Sequence, residues 1–221
     1  MRARLKDIYE RLFDHFGPQH WWPADSEFEV MVGAILTQNT SWTNVEKAIK
    51  NLKKHKVLTP SKLYRLPDKK LAQFIRPSGY YNLKSRRIKN FLAFFMRDYK
   101  ASVKRMARER SAVLREQLLA VKGIGPETAD SILLYALAKP VFVVDAYTKR
   151  IFSRHKIFAG DTGYHFVQGI FMRGLPEDAG LFKEYHALIV KLAKEFCLKN
   201  NPKCQICPLK KNDKIIRKSR S

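Results

Sequence analysis

Two glycines bracket one apolar residue at Gly123-Ile124-Gly125, between two runs whose composition is typical of helices. Glycine adopts backbone angles that other residues avoid, so a turn of this kind can present main-chain NH groups to a phosphate. Pro126 follows directly and fits the first turn of a helix. Taken alone, the segment favours an ordinary connection between two helices. The rest of the chain decides whether it also binds an anion.

Three cysteines form a second group of residues whose side chains could do chemistry. Cys197, Cys204 and Cys207 are all the cysteines of the chain, and they lie close together near its carboxyl end. An odd number in one cluster does not match a disulfide framework. The spacing therefore indicates metal chemistry.

The chain is strongly basic. Lysine and arginine number 43 against 20 aspartates and glutamates, which gives a net charge of +23 over 221 residues. The excess lies at both ends and also within the body, at residues 84–89 and 100–115. Charge of this size exceeds what solubility requires and predicts a polyanionic partner.

The elements that must position these residues are predicted to be helices. Apolar residues recur at helical spacing along most of the chain, which predicts an all-α fold. The one strand-like run, residues 141–144, is short and has no second strand to pair with, so we expect buried extended chain there. Asp145 follows it and is well placed to cap a helix. With no membrane-spanning apolar stretch and no signal peptide, a cytoplasmic, nucleoid-associated protein is expected.

Four segments together resemble the endonuclease III (HhH-GPD) superfamily of DNA base-excision glycosylases. Two of them, WWPADSEFEVMVGAILTQNTSW and RPSGYYNLKSRRI, resemble the 3-methyladenine DNA glycosylase III type in particular, and the cysteines resemble endonuclease III. The helix-hairpin-helix and Gly/Pro/Asp signatures are KGIGPETAD and VVDAYTKRI. The resemblance implies two helical domains, a six-helix barrel at residues 27–138 and a second domain built from residues 1–26 and 139–221.

The resemblance assigns the chemistry to Asp145, whose carboxylate would stabilise positive charge on the deoxyribose or activate a water. A simple helix cap is the alternative role. Glu127 occupies the position where bifunctional members carry a catalytic lysine, and a carboxylate cannot form a Schiff base. The protein is therefore expected to remove a base without cleaving the strand, that is, without AP-lyase activity. Lys122 lies before the hairpin and is expected to contact phosphate instead.

The resemblance also implies a pocket for a flipped base and contacts to DNA. The pocket walls would be aromatic and suited to a cationic ring, although core packing is the alternative for at least one tryptophan. The candidate pocket residues are Trp21, Trp22, Pro23 and Trp42. The side chains expected to fill or wedge the opened duplex are Gln38 and Tyr80. The expected backbone contacts are Lys84, Arg87, Lys122, Gly123 and Gly125, with a solvated helix face as the alternative for Lys84 and Arg87.

Two inorganic groups follow from the resemblance. A 4Fe-4S cluster is implied at Cys197, Cys204 and Cys207, but position 213, where a fourth cysteine is expected, holds Asp213. Three alternatives remain for this loop: a cluster with a carboxylate ligand, a zinc ion, or no metal. A monovalent cation is implied at the hairpin, and no organic cofactor is expected.

Three functions remain in competition. The first is a monofunctional glycosylase that excises alkylated purines, such as 3-methyladenine, and leaves an abasic site. The second keeps the fold and acts on oxidised or deaminated pyrimidines. The third is a non-catalytic helix-hairpin-helix protein that binds DNA. The expected partner is double-stranded DNA with damaged bases, bound by a monomer away from any membrane.

Overall fold

The structure, a computed structural model, describes residues 1–210. Within that range the chain forms twelve α-helices and no strand, so the all-α prediction is confirmed. The helices are α1 (Arg2–Phe16), α2 (Glu27–Leu36), α3 (Trp42–Lys54), α4 (Pro60–Arg65), α5 (Asp68–Phe74), α6 (Tyr81–Tyr99), α7 (Val103–Arg108), α8 (Ser111–Ala120), α9 (Pro126–Ser131), α10 (Ala146–Arg154), α11 (Tyr164–Gly174) and α12 (Ala179–Glu195). None of the helices among residues 1–210 has both the length and the apolar character needed to cross a bilayer.

Short helical turns complete the described chain. A 3-10 turn at Arg76–Ser78 precedes α6, and another forms at Cys204–Ile206. A π-helical turn, Ile132–Ala136, continues α9. The segment 141–144 is buried and belongs to no helix or strand, in keeping with the expectation that it finds no second strand to pair with.

One compact unit comprises Trp22–Val143, and α2 is central to it. Ser26 caps this helix by accepting a hydrogen bond from the Glu29 NH at 3.2 Å. Every residue from Phe28 to Leu36 is buried, because α2 packs against α3, α6, α9 and the π-helical turn. A helix that is apolar on all sides needs such enclosure.

The two helices that flank the hairpin, α8 and α9, are joined within this unit by an ion pair whose acidic member is buried. Arg115 Nε donates to Asp130 Oδ1 at 2.7 Å, and Asp130 is fully buried. Since an uncompensated buried charge is costly, the pair holds these helices in one arrangement.

The other unit comprises Met1–Trp21 and Val144–Ser221, of which the structure describes residues up to 210. Here α1 packs against α11 and α12, and α10 packs against α12. The fully buried Tyr185 donates through its hydroxyl to the Leu5 carbonyl at 2.8 Å, which ties α12 to α1. The unit therefore joins both ends of the described chain in one core.

Candidate active site and DNA-binding elements

Asp145 is held by the first turn of the helix that it begins. The residue is extended and caps α10, with Oδ1 accepting hydrogen bonds from the Thr148 NH at 2.6 Å and the Thr148 hydroxyl at 2.8 Å. Thr148 is fully buried, and the Asp145 side chain keeps 12% of its surface exposed. One carboxylate oxygen is thus committed to the cap. The other is available for different interactions.

His186 of α12 provides the second support of Asp145, and the sequence did not predict it. His186 Nε2 lies 3.5 Å from Asp145 Oδ2, and the pair is ionic when the histidine is protonated. Burial alone would raise the pKa of Asp145, but His186 and the Thr148 hydrogen bonds outweigh it and lower that pKa below its ordinary value. The carboxylate is therefore ionised at neutral pH. The only signal in the sequence is a histidine between buried positions of an otherwise apolar helix face.

The Gly123 turn has the geometry that requires glycine. Its φ is 97°, and a Cβ atom there would collide with Arg87 Cγ and lie 3.1 Å from Arg87 Cδ. Gly125 is different, because its φ of −96° suits any residue and its Cβ position is open. Ile124 is buried and anchors the turn, while Lys122 and Gly123 are exposed. Only the first glycine is thus dictated by backbone shape.

Glu127 is exposed in the first turn of α9. A carboxylate at this end of a helix is favourable, because the unpaired NH groups there carry partial positive charge. Lys122, on the other side of the turn, is also exposed, and its carbonyl accepts from Asn90 Nδ2 at 2.9 Å. The hairpin therefore presents an amine before the glycines and a carboxylate after them.

Two of the three tryptophans line one cleft of about 250 Å³ in the Trp22–Val143 unit. The Trp22 and Trp42 rings lie at 90° with centroids 5.0 Å apart. Trp22 also packs beside Gly33, where a Cβ atom would lie 3.1 Å from the indole. Pro23 also lines the cleft, whereas Trp21 is half-buried at the end of the other unit's first segment.

Carboxylates also line this cleft, and the sequence did not predict them. They belong to Asp25, Glu29 and Glu46. Lysines line it as well, at positions 50 and 53. Lys53 pairs with the buried Glu29 at 2.7 Å and with the exposed Asp25 at 2.8 Å. The aromatic rings favour a cation, and three carboxylates against two lysines leave the lining with a small negative charge.

A π-helical turn supplies a further ring to the tryptophan group. The Leu137 NH donates to the Ile132 carbonyl at 3.2 Å, which is the i→i+5 spacing of a π turn. Tyr135 of this turn lies with its ring centroid 5.3 Å from that of Trp22. Turns of this kind are frequent at functional sites.

Gln38 is tied to the hairpin within the same unit. Its Nε2 donates to the Gly123 carbonyl at 3.1 Å and to the Thr128 hydroxyl at 2.9 Å, and its Oε1 accepts from Arg87 Nη1. The structure thus joins three predicted DNA-binding residues, Gln38, Arg87 and Gly123. In this arrangement the Gln38 amide is engaged by the protein.

Tyr80 projects from the surface, with 69% of its area exposed. Its φ of 44° is left-handed, and it follows Gly79, whose φ is 67°. Two successive residues with positive φ make a sharp turn just before α6, and non-glycine residues rarely adopt that conformation. The turn therefore presents the Tyr80 ring outward.

The structure corrects the prediction that Lys84 contacts the DNA backbone. The side chain is 1% exposed, and its Nζ donates to the Leu36 carbonyl at 2.8 Å and the Ser78 carbonyl at 2.6 Å. Burial, with a smaller effect from the charge of Arg87, lowers the pKa of Lys84 to about 8. This burial also excludes the alternative that Lys84 lies on a solvated helix face. The basic patch in the sequence gave no sign that one of its members faces inward.

The three cysteines are free thiols of unequal exposure. Cys197 is buried and accepts a hydrogen bond from Arg154 Nη1 at 3.3 Å, Cys207 is half-buried and Cys204 is exposed. Burial, followed by the charges of the other two thiols, raises the pKa of Cys207. Among residues 1–210, no group of three histidine, cysteine or acidic side chains is arranged to hold a metal ion. Asp213, the predicted fourth ligand, lies outside the described residues.

The sequence also matches a known family model. Residues 32–177 match the HhH-GPD superfamily of base excision DNA repair proteins, a span that includes the hairpin and Asp145. The chain belongs to this superfamily. It is accordingly a base-excision repair DNA glycosylase, and the similarity predicted from its motifs is confirmed at this level.

Relatives within the superfamily cover nearly the whole chain. One relative is a Methanocaldococcus jannaschii protein provisionally named DNA repair glycosylase MJ1434. It is 49% identical over 92% of this chain and 92% of its own length. Endonuclease III of Thermotoga maritima is 28% identical over 97% of this chain and 94% of its own.

Solved structures of the superfamily have the same fold. The Helicobacter pylori 3-methyladenine DNA glycosylase MagIII, bound to 1,N6-ethenoadenine, is 31% identical with a TM-score of 0.73, over 87% of this chain and 95% of that chain. An endonuclease III–DNA complex has a TM-score of 0.81 at 22% identity, over 94% of this chain and 92% of that chain. The second similarity shows the fold alone.

Proposed function

We propose that this superfamily member is a monofunctional glycosylase that removes alkylated purines from double-stranded DNA. It hydrolyses the N-glycosidic bond of a flipped nucleotide and leaves an abasic site. The observation that carries the proposal is the cleft in which Trp22 and Trp42 meet at right angles beside acidic side chains. The 31% identity to a 3-methyladenine DNA glycosylase supports the same substrate class.

The cleft suits a positively charged base. Purines alkylated at N3 or N7 carry a positive charge, and an indole face attracts a cation by about 0.5–2 kcal/mol depending on desolvation. The three lining carboxylates outnumber the two lining lysines by one, and this net negative charge adds attraction to a cationic ring. Such bases are good leaving groups, so the enzyme needs little acid catalysis at the base itself. Recognition in the cleft then supplies much of the selectivity.

Asp145 supplies the negative charge that bond cleavage requires. As the glycosidic bond breaks, positive charge develops on the deoxyribose, and a carboxylate fixed in advance stabilises it or orients a water for attack. The cap to Thr148 fixes the side chain, and His186 favours its ionised form. Protonation would remove the charge on which this step depends.

Glu127 supports base removal without strand cleavage. An AP lyase of this kind attacks the sugar with an amine and forms a Schiff base, which a carboxylate cannot do. Borohydride added during reaction with a lesion duplex should therefore trap no covalent complex. A trapped complex would overturn the monofunctional assignment and direct attention to Lys122.

Duplex binding is assigned to the Gly123 turn, Lys122 and Arg87, with Gln38 and Tyr80 filling the space left by the extruded nucleotide. The net charge of +23 supports strong contact with phosphates, so affinity should fall steeply with salt. A monomer binding damaged double-stranded DNA remains our prediction.

The inorganic groups also remain predictions, and no catalytic step depends on them. The described residues do not by themselves complete a metal site. Their three thiols lie close enough for Cys197 and Cys204 to affect the pKa of Cys207, and thiols are the ligands that iron–sulfur clusters use. Iron and acid-labile sulfide analysis distinguishes a 4Fe-4S cluster from zinc or a metal-free loop. A monovalent cation at the hairpin is testable by comparing duplex affinity in potassium and tetramethylammonium salts.

The decisive experiment measures base release from duplexes that each contain one defined lesion. The panel includes 3-methyladenine, 7-methylguanine, an oxidised pyrimidine and uracil. Release of the alkylated purines, with a rise in KM of about tenfold for Trp42→Leu, supports the proposal. Preferential release of the pyrimidine lesions would favour the endonuclease III activity, to which the 28% identical relative points. No release at all would favour a protein that only binds DNA.

A further inference from the structure

The buried ammonium group of Lys84 joins two separate turns of the Trp22–Val143 unit. The Leu36 carbonyl, at the end of α2, directly precedes the turn that carries Gln38, and the Ser78 carbonyl precedes the turn that carries Tyr80. Lys84 Nζ donates to both, at 2.8 Å and 2.6 Å. One charged group therefore fixes the backbone at the base of each turn.

Both turns contain a non-glycine residue in the left-handed conformation. These residues are Asn39, with a φ of 52°, and Tyr80, with a φ of 44°. Non-glycine residues rarely adopt such conformations, which persist where the surroundings hold them. The Ser78 hydroxyl, which donates to the Ile75 carbonyl at 2.8 Å, adds to the hold on the Tyr80 turn. The contacts of Lys84 are of the kind that keeps both turns in place.

Two further polar residues of α6 contact the neighbouring DNA-binding elements. Residues three apart are neighbours on a helix surface, and Arg87 follows Lys84, and Asn90 follows Arg87, at that spacing. Arg87 donates to the side chain of Gln38, and Asn90 donates to the Lys122 carbonyl at the hairpin. Lys84 is thus the first of three polar residues by which α6 orders these loops.

We propose that Lys84 is a positioning residue that locks the Gln38 turn and the Tyr80 turn to each other, so that both side chains enter an opened duplex together. The inference rests on the proposed function, because it takes Gln38 and Tyr80 as the residues that fill and wedge the duplex. Lys84 itself touches neither DNA nor the reacting atoms.

Lys89, on the same helix, offers a matched control. Its Nζ donates to the carbonyls of Leu63 at 3.0 Å, of Tyr64 at 2.7 Å and of Leu66. Burial lowers its pKa as well. These carbonyls lie at the end of α4 and belong to neither turn. Removal of either ammonium group therefore removes comparable hydrogen bonds, but only Lys84 connects the two turns.

The experiment compares Lys84→Met with Lys89→Met in thermal unfolding, base release and nucleotide extrusion. Extrusion is followed by the fluorescence of a 2-aminopurine placed beside the lesion, well below the unfolding transition of every variant. We expect both variants to lower Tm. Only Lys84→Met should slow extrusion and reduce kcat/KM, by about tenfold or more, since misplacement by an ångström can cost up to about 100-fold. Equal extrusion in the two variants would overturn the inference.

Coupling between residues provides a second readout. In the wild-type background, Tyr80→Ala and Gln38→Ala should each slow extrusion. In the Lys84→Met background their further effect should be small, because residues that act through one structure are not additive. Full additivity would contradict a positioning role. If Lys84→Met does not fold, Lys84→Gln, which retains an amide donor for one carbonyl, is measured in the same way.

The wild-type protein separates the two claims. If it releases no base from any lesion, the proposed function fails. If it releases bases while Lys84→Met extrudes and reacts like Lys89→Met, only the inference about Lys84 fails. Base release by the wild type without any change in 2-aminopurine fluorescence also counts against the inference alone.

Discussion

Asp145 and Gln38 are both fixed by hydrogen bonds, but their partners lie at very different separations along the chain. The cap of Asp145 comes from Thr148, three residues later. Gln38 is held by more distant residues. Arg87 is 49 residues away along the chain, Gly123 is 85 away and Thr128 is 90 away. The carboxylate proposed to be catalytic is therefore placed mainly by local structure, whereas the side chain proposed to open the duplex depends on the fold of a whole unit. Substitutions that affect one kind of support should leave the other intact.

The largest effect is expected for Asp145→Asn. Asparagine caps helices about as well as aspartate, so the fold should persist with a loss of about 1 kcal/mol or less in the free energy of unfolding. Removal of the negative charge should lower kcat/KM for base release by at least about 100-fold. Single-turnover kinetics on a 3-methyladenine duplex measure this, with duplex affinity as the control. Unchanged base release would remove Asp145 from the mechanism.

Gly123→Ala tests the contacts that hold Gln38 from distant parts of the chain. The new Cβ atom would collide with Arg87, and its φ of 97° strains any side chain, so we expect a loss of about 1–3 kcal/mol in unfolding free energy. Displacement of Arg87 and of the Gly123 carbonyl should also disturb Gln38 and weaken duplex binding. Denaturant unfolding and fluorescence anisotropy measure the two effects.

Gly125→Ala is the matched control, since its φ of −96° and open Cβ position accept alanine. We expect a change of about 0.5 kcal/mol or less, the usual range for an undemanding site. Equal damage from the two alanines would mean that the hairpin needs flexibility at both glycines and not a specific shape at one.

His186→Gln should give the smallest effect at neutral pH, less than about tenfold in kcat/KM, but a distinct pH dependence. His186 helps lower the pKa of Asp145, so its loss raises that pKa and moves the acid limb of the kcat/KM profile to higher pH. The stability that the lowered pKa provides is present above the unfolded-state value, about 3.9, and is lost as pH falls through the folded-state value. Wild type and variant should therefore converge in unfolding free energy in acid.

His55→Gln controls for the loss of a histidine, because His55 is exposed and stacks on Phe74 in the other unit. Its acid limb should match that of the wild type. An acid limb that also stays in place for His186→Gln would show that Thr148 alone sets the ionisation of Asp145.

The sequence predicted what depends on neighbours in the chain. The all-α fold, the buried segment without regular structure before Asp145 and the cap of α10 follow from periodicity and helix signals. By contrast, α11 has weak helix signals in the sequence, because Gly163, Gly169 and Gly174 flank or interrupt its apolar pattern. Glycine is a poor helix former, and packing of α11 against α1 outweighs that preference.

Features that depend on remote partners escaped prediction. Lys84 appears in the sequence as one of several basic residues, and only the fold reveals that its ammonium group is buried between two carbonyls. His186 and the acidic lining of the tryptophan cleft were missed for the same reason. Gly123 and Gly125 were treated alike, although their backbone angles separate them.

The π turn at Ile132–Ala136 has an evolutionary consequence for the tryptophan cleft. It contains one residue more than an α-helical turn would, and each residue of an α-helix rotates the next side chain by about 100°. Deleting a single residue there would restore regular winding and swing Tyr135 away from Trp22. A one-codon deletion would thereby change the packing beside Trp22 without changing any residue that lines the cleft.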